Sequence, residues 1–270
     1  MEPFTDSIIQ GVKMTSKESG IAALERAMDI VMMFQQEKRE LGVTEISRLL
    51  GLHKSTVHRC LNTLERRGFV QQNPTTSRYW LGIKFYILGS LYTETMSLCP
   101  IASPFIQELA DQLNEAVHLA VLDRFCGENL QVIVIDKVET RQRLSITPSI
   151  GSGAPVHCCG VGKAMMAFAG EETLNKLLQY RFTPFTAHTI TDRETFLQEL
   201  EKVRSLGYAM DRDELEMGLT CVAAPIFNHR GEVVAAVSTS GPTTRMVATL
   251  EEKIIPSVKQ IADRISSRLK

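Results

Sequence analysis

Residues 42–81, GVTEISRLLGLHKSTVHRCLNTLERRGFVQQNPTTSRYWL, constrain the chain more than any other stretch. Thr44 is a suitable N-cap, and Ile46, Leu49 and Leu50 follow at helical spacing. Gly51 ends that helix, because glycine tolerates the left-handed exit a tight turn needs. A second helix starts near Ser55 or Thr56. Its Val57, Cys60, Leu61 and Leu64 fall at i, i+3, i+4 and i+7 and form one buried stripe. At about 100° per residue the opposite face carries Ser55, Arg59, Asn62 and Arg66, flanked by Thr56 and His58. Gly68 caps the helix. Residues 69–72 and 78–81 read as two short strands around the turn formers of 73–77. Upstream, Leu24, Ala27, Met28, Val31 and Phe34 give the inner face of a first helix. The spacing predicts a winged helix-turn-helix over residues 21–82, preceded by a flexible tail at 1–20.

A helix that is apolar inside and basic outside, second in such a turn, is how a small domain fills the major groove of DNA. Arg59 lies at the middle of the outer face and is the expected base reader, since arginine to guanine is the commonest specific contact. Lys54, Ser55 and Thr56 are expected to position the duplex backbone, His58, Asn62 and Arg66 to donate to phosphates or base edges, and Arg78 to reach a phosphate from the wing, with Thr44 a further DNA-binding candidate. A basic amphipathic helix is also, in many proteins, only a solvated face. Charge favours the DNA reading. Residues 21–84 hold 10 Lys+Arg against 6 Asp+Glu, while the whole chain is at −1, so a basic small domain is joined to an acidic larger one.

At 270 residues the chain has room for two cores. It has no uninterrupted apolar run of about 18 residues and no signal-peptide core near its start, which points to a cytoplasmic protein without a membrane span. Six cysteines (60, 99, 126, 158, 159, 221) show neither CxxC nor a disulfide framework and read as reduced thiols. Residues 83–98 read as a linker helix too apolar to stand in water, so packing against a second copy is expected. Cys99-Pro100 marks the next boundary.

The remainder, 99–270, alternates strands and helices. A helix at about 101–115 precedes strands at 116–122 and 130–136, a pair read as antiparallel, and a third strand at 144–146. Residues 151–155 read as a loop, and Gly160-Val161-Gly162-Lys163 as the opening of a helix reaching Ala169. A helix over 193–206 ends at Gly207. Strands at 221–227 and 233–240 flank a turn at 228–231, and a closing helix spans about 247–269. The fold class is α+β: the winged domain, the linker helix, and a mainly antiparallel, GAF-like sheet domain built to hold a small effector.

Here a resemblance becomes specific. Gly207, Asp211 and Glu214, then Cys221, Val222, Ala223, Ile226, Phe227 and Asn228, match every fixed position of the signature of the IclR family of bacterial transcriptional regulators. KSTVHRCLNTL and PVHCCGVGKAMMA also resemble that family, as does the domain order, over residues 21–268. The resemblance implies a homodimer or homotetramer on a palindromic operator of double-stranded DNA. It implies control of catabolic genes, repression being the expected sense, in response to a small organic acid or sugar acid. By motif, the N–H groups of Gly160 and Val161 would bind the effector's anionic oxygen, in keeping with the general affinity of helix N-termini for anions. Asp211, Cys221, Ser238 and Ser240 would complete the polar lining, with Leu144, Ile146 and Leu219 as apolar walls. His157-Cys158-Cys159 departs from the small or hydroxyl residues common there in the family.

Each of these residues has a plainer reading. GVGK lacks the earlier glycine and the following Ser or Thr of a P-loop. Ser238 and Ser240 share a strand face and could be small core residues. Asp211 could cap a helix or join an ion pair, and Cys221 could be a small buried hydrophobe. His118, His157 and the cysteines lack zinc-ligand spacing, so no metal or cofactor is expected. A thiol hydrolase built on Cys158, Cys159 or Cys221 with His118 or His157, and a ligand-binding module that no longer binds DNA, are the competing classes; an enzyme is not expected.

Overall fold

A computed structural model describes residues 21–95, 97–123, 130–140, 142 and 147–269. The 1–20 tail, Cys126 and the 144–146 strand lie outside the described residues. The chain divides into two compact units, residues 1–95 and 96–270.

The first unit contains α1 (Ala22–Glu37), α2 (Val43–Leu50), α3 (Lys54–Arg66), the antiparallel pair β1 (Val70–Gln72) and β2 (Tyr79–Leu81), and α4 (Ile83–Thr95). Ile30, Phe34, Leu41, Ile46, Val57 and Leu61 are fully buried, with the Phe34 ring edge-on to Trp80 at 5.7 Å. α1 differs from expectation. Leu24 and Met28 are half exposed, and the inner face is instead Ala27, Ile30, Val31, Met33 and Phe34. The helix is apolar on two sides, so periodicity alone could not choose between them; Ile21, Leu24, Met28 and Met32 make a second, uncovered stripe. Leu49 is likewise exposed.

Helix ends explain themselves locally. α2 begins at Gly42, not Thr44: the Gly42 backbone is extended, and the carboxylate of Glu45, three residues on, accepts its N–H at 3.5 Å. That carboxylate also takes Arg39 at 2.7 Å and Arg78 at 2.5 Å, tying the end of α1 and the wing to α2. Arg39 is the main reason it sits below the usual carboxylate range. Gly51, at φ +64°, ends α2. α3 ends in a Schellman pair, Phe69 N–H to Leu64 O and Gly68 N–H to Glu65 O, with Gly68 at φ +76°.

The second unit opens with α5 (Leu98–Leu113). Cys99-Pro100 therefore lies in the first turn of a helix and does not break one; a proline fits there because first-turn N–H groups have no intrahelical acceptor. Then follow β3 (Ala116–Asp123), β4 (Gln131–Val138), β5 (Gly153–Pro155), α6 (Gly160–Met166), α7 (Glu171–Asn175), α8 (Arg193–Leu206), β6 (Ala209–Arg212), β7 (Leu219–Phe227), β8 (Val233–Pro242), α9 (Thr243–Met246) and α10 (Ile255–Arg268). The strands form one antiparallel sheet in the order β5-β4-β3-β8-β7-β6. Part of the expected 151–155 loop is thus an edge strand, Val132 lying opposite Ala154. The four-residue β6 is too short to be read from alternation. α10 becomes regular only at Ile255, after wider turns, with Pro256 in its first turn.

Strand alternation gives the sheet two apolar faces. Val117, Leu119, Val222, Ala224, Ile226, Ala235 and Val237 pack with α5 and α10 residues such as Ile106, Leu109, Val258 and Ile261. Ala120, Ala209, Ala223 and Ala236 pack with α6 and α8, including Met165, Met166, Phe196 and Leu200. The small residues on the second face let α6 lie close to the sheet.

Candidate DNA interface and effector site

α3 presents Lys54, Ser55, His58, Arg59, Asn62 and Arg66 to solvent, with Thr56 half-buried, while Val57, Leu61 and Leu64 face the core. Arg59, Asn62 and Arg66 line one shallow open depression together with Thr63 and Glu65, which the sequence reading did not include. His53, also missed, is the N-cap of α3: its Nδ1 accepts the Ser55 N–H at 3.4 Å and lies 2.8 Å from Ser55 Oγ. The signal was there, a side-chain acceptor two residues before Ser55. Thr44 is exposed in the first turn of α2. Arg78 is braced within the unit. Its Nε donates to Glu40 O at 3.2 Å and its guanidinium pairs with Glu45, so its charge is already engaged by the wing's own support.

In the second unit the register assembles a polar band. Asp211 lies opposite Cys221, Cys221 opposite Ser240, and Ala223 opposite Ser238. Directly opposed residues of an antiparallel pair share a face. That face is the one α6 covers: a Cβ on Gly160 would sit 3.2 Å from Cys221 Sγ and 3.3 Å from Ala223 Cβ. The first turn of α6 therefore passes directly over Cys221 and Ala223. Asp211, Ser238 and Ser240 are buried, Val161 is buried in the second core, and Leu219 is buried two residues before Cys221, on the same face. Leu144 and Ile146 lie outside the described residues. Also on this face, and not foreseen as part of it, is His118, opposite Ser238 on β8.

Burial raises the Asp211 carboxyl to about 7, against the stabilising pull of the Glu214 N–H that its Oδ1 accepts at 2.8 Å. Both plain and functional readings of Asp211 thus meet in one side chain, a turn cap that also faces the band. The sign follows from the shift. A carboxyl raised on folding favours the folded state below its unfolded value, and that contribution is lost as pH rises through about 7. Asp211→Asn keeps the acceptor and removes the titration. Urea midpoints measured from pH 5 to 8 should fall less steeply with pH in the variant than in the parent.

GVGK has a structural account. A Cβ on Gly162 would meet Val156 Cα and O at 2.5 Å, so only glycine lets α6 cross that backbone. Lys163 points into the interior, where its Nζ lies 2.6 Å from Glu214 and 3.5 Å from Glu199. The departures at 157–159 are structural too. His157 Nε2 donates to Thr183 O at 3.0 Å, so the neutral ring accepts the Tyr180 hydroxyl at Nδ1 at 2.7 Å, inside a cage with Phe182 and Phe185. Cys158 and Cys159 lie against Pro155 O at 3.7 and 3.1 Å, and burial pushes both thiols far up. Burial likewise pushes Cys221 to about 12. Thiols held protonated are poor nucleophiles. Among the described residues no group of three or more His, Cys, Asp or Glu could hold a metal ion.

The remaining signature positions have roles as well. Gly207, at φ +74°, ends α8, Glu214 pairs with Lys163, and Asn228 Oδ1 accepts the N–H groups of Arg230 and Glu232 in the β7–β8 turn.

A winged helix-turn-helix with an exposed basic second helix, on the same chain as a sheet unit with a buried polar band, defines a DNA-binding regulator that answers to a small effector. Comparison with known proteins places it within that class. The IclR helix-turn-helix domain matches residues 23–74, and the C-terminal domain of the bacterial transcriptional regulator IclR matches residues 90–267. The chain belongs to the IclR family of bacterial transcriptional regulators. It is similar to the HTH-type transcriptional regulator XynR of Escherichia coli K12, at 37% identity over 84% of this chain and 88% of that one. It is also similar to the transcriptional repressor IclR of the same strain, at 30% identity over 89% of each. The Thermotoga maritima IclR crystal structure matches with a TM-score of 0.70 and 31% identity, covering 91% of this chain and 98% of that one. Among the described residues no helix is long and apolar enough to cross a membrane.

Proposed function

We propose that this protein represses catabolic genes in the cytoplasm by binding a palindromic operator as a homodimer or homotetramer, and that a small carboxylate effector releases it. The observation that carries the effector half is the convergence of Asp211, Cys221, Ser238 and Ser240, all buried, on the one sheet face that the first turn of α6 overlies. Backbone N–H groups of Gly160 and Val161 hold the carboxylate, and the band holds the rest. A relative named as a repressor supports the sign of regulation. On the DNA side, Arg59 reads a base, while Lys54, Ser55, Thr56, His58, Asn62 and Arg66 fix the duplex; Arg78 supports the wing. The effector shifts the equilibrium only through unequal affinity for the DNA-competent and DNA-incompetent states.

Fluorescence anisotropy with DNA from upstream of the protein's own gene, against excess random DNA at two salt concentrations, tests this reading. Specific binding with a steep salt dependence, reversed by a short-chain carboxylic acid, is the expected result. Asp211→Ala should leave operator binding intact and blunt the response to acid; loss of operator binding would make Asp211 purely structural.

Self-association has its own support. Ile83, Tyr86, Leu88, Leu91 and Tyr92 of α4 are all about half exposed or more, and α1 adds its uncovered stripe. Isolated apolar side chains need no explanation, but a contiguous set marks an interaction surface. Two-fold pairing matches a palindrome. Leu91→Glu should shift sedimentation toward the monomer and weaken operator binding by more than tenfold, because paired half-sites are no longer engaged together.

A further inference from the structure

His118 is the third residue of β3, 4% exposed, and its Nε2 is buried without a hydrogen-bond partner among the described residues. Buried polar atoms in native proteins are almost always satisfied, so an orphan one calls for a ligand or a role. The register puts this ring on the same sheet face as the polar band. His118 lies opposite Ser238, which lies opposite Ala223, the residue beneath Gly160. From the strand under the α6 start to the strand of His118 is two strand spacings, about 10 Å. The imidazole side chain and a ligand of a few carbon atoms close that gap together.

Building on the effector reading above, we infer that His118 Nε2 hydrogen-bonds the end of the effector remote from its carboxylate, and so selects acids that carry an uncharged oxygen, a hydroxyl or carbonyl, at that end. The ring is neutral at physiological pH. Burial, and then the Lys137 ammonium on the neighbouring strand, bring it down to about 4. Lys137 is itself paired with Glu139 at 2.8 Å, and the other titratable groups on this face, Asp211 and Cys221, lie toward the far edge of the sheet. A neutral imidazole nitrogen pairs with a hydroxyl whichever tautomer it holds. A bare alkyl tail leaves it as orphaned as it is without ligand.

The test uses the full chain and three probes: hexanoate, 6-hydroxyhexanoate and gluconate, titrated calorimetrically. The parent should bind at least one hydroxylated acid about tenfold or more tighter than hexanoate, the scale of one good hydrogen bond. His118→Phe, which keeps a ring and deletes both nitrogens, should reduce that ratio to near one while operator binding is retained. It should also raise the melting temperature without ligand, since an unsatisfied nitrogen is removed. His118→Gln, whose amide nitrogen can approach the place of Nε2, should restore part of the preference; if the Phe variant does not fold, His118→Leu takes its place. A preference that survives in the Phe or Leu variant overturns the role of His118 and leaves the carboxylate site standing. A parent that binds none of the three acids overturns the carboxylate reading and this inference with it.

Discussion

Lys163→Met should destabilise the chain by about 3–5 kcal/mol, the usual penalty for stripping one partner from a buried ion pair. Lys163 is 1% exposed, and its ammonium lies 2.6 Å from Glu214, whose side chain is 11% exposed and whose second oxygen, Oε2, is buried with no partner among the described residues. Burial already pushes the Glu214 carboxyl up, and Lys163 is the main force holding it down. Without the ammonium the carboxylate must stay charged at high cost or take a proton. A carboxyl raised further on folding loses its contribution to stability as pH rises, so the deficit of the variant should widen from acid toward neutral pH. Lys163→Met/Glu214→Leu should recover most of the loss, because an apolar pair of similar volume needs no desolvation. Urea denaturation of the single and double variants across pH measures this directly. A single variant within about 1 kcal/mol of the parent would contradict a desolvated pair. The consequence reaches the proposed effector site: the Glu214 N–H holds Asp211, so the pair that anchors α6 also places the carboxyl of the buried polar band. Acid binding should weaken along with stability.

The DNA-facing helix was legible because one helix carries both signals. The apolar stripe Val57, Leu61, Leu64 fixes the inside of α3, and at 3.6 residues per turn the outside follows. α1 resisted the same reading, since Leu24 and Met28 are as apolar as Ile30 and Phe34, and only the packing of α2 and α3 decides which side is covered. In the sheet unit, strand positions could be read from β-branched runs, but strand order could not. The band from Asp211 through Cys221 to Ser240 joins residues brought together by β6, β7 and β8 pairing, and only the family resemblance put them in one site. His118 shows the limit most clearly. Alternation with Val117 and Leu119 gives it the opposite face, yet nothing local says that Ser238 lies across from it or that its Nε2 has no partner among the described residues. GVGK lacks the spacing of a phosphate loop. Its actual reasons, the Val156 backbone under Gly162 and Glu214 at the end of Lys163, are tertiary.

Arg59→Ala should cost about 1–3 kcal/mol of specific operator binding, roughly 5- to 150-fold, and much less on random DNA. The side chain is exposed on the outer face of α3, and its depression also contains Asn62 and Arg66. Fold stability should be unchanged, because the residue buries nothing and alanine is the best helix former. The nearby Thr63 hydroxyl bonds to the Arg59 carbonyl, which any residue supplies. Two comparisons sharpen the assignment. Lys54→Ala should weaken specific and random DNA alike and reduce the salt slope by about one, as the loss of a phosphate contact does. Arg78→Ala should act mainly through the wing, lowering the unfolding midpoint, because it removes a brace between Glu45 and the Glu40 carbonyl. Anisotropy on operator and random duplexes at several salt concentrations separates the three. If Arg59→Ala lost equally on both duplexes and its salt slope fell, Arg59 would be a phosphate contact, and base reading would pass to Asn62, the neighbouring amide on the same exposed face.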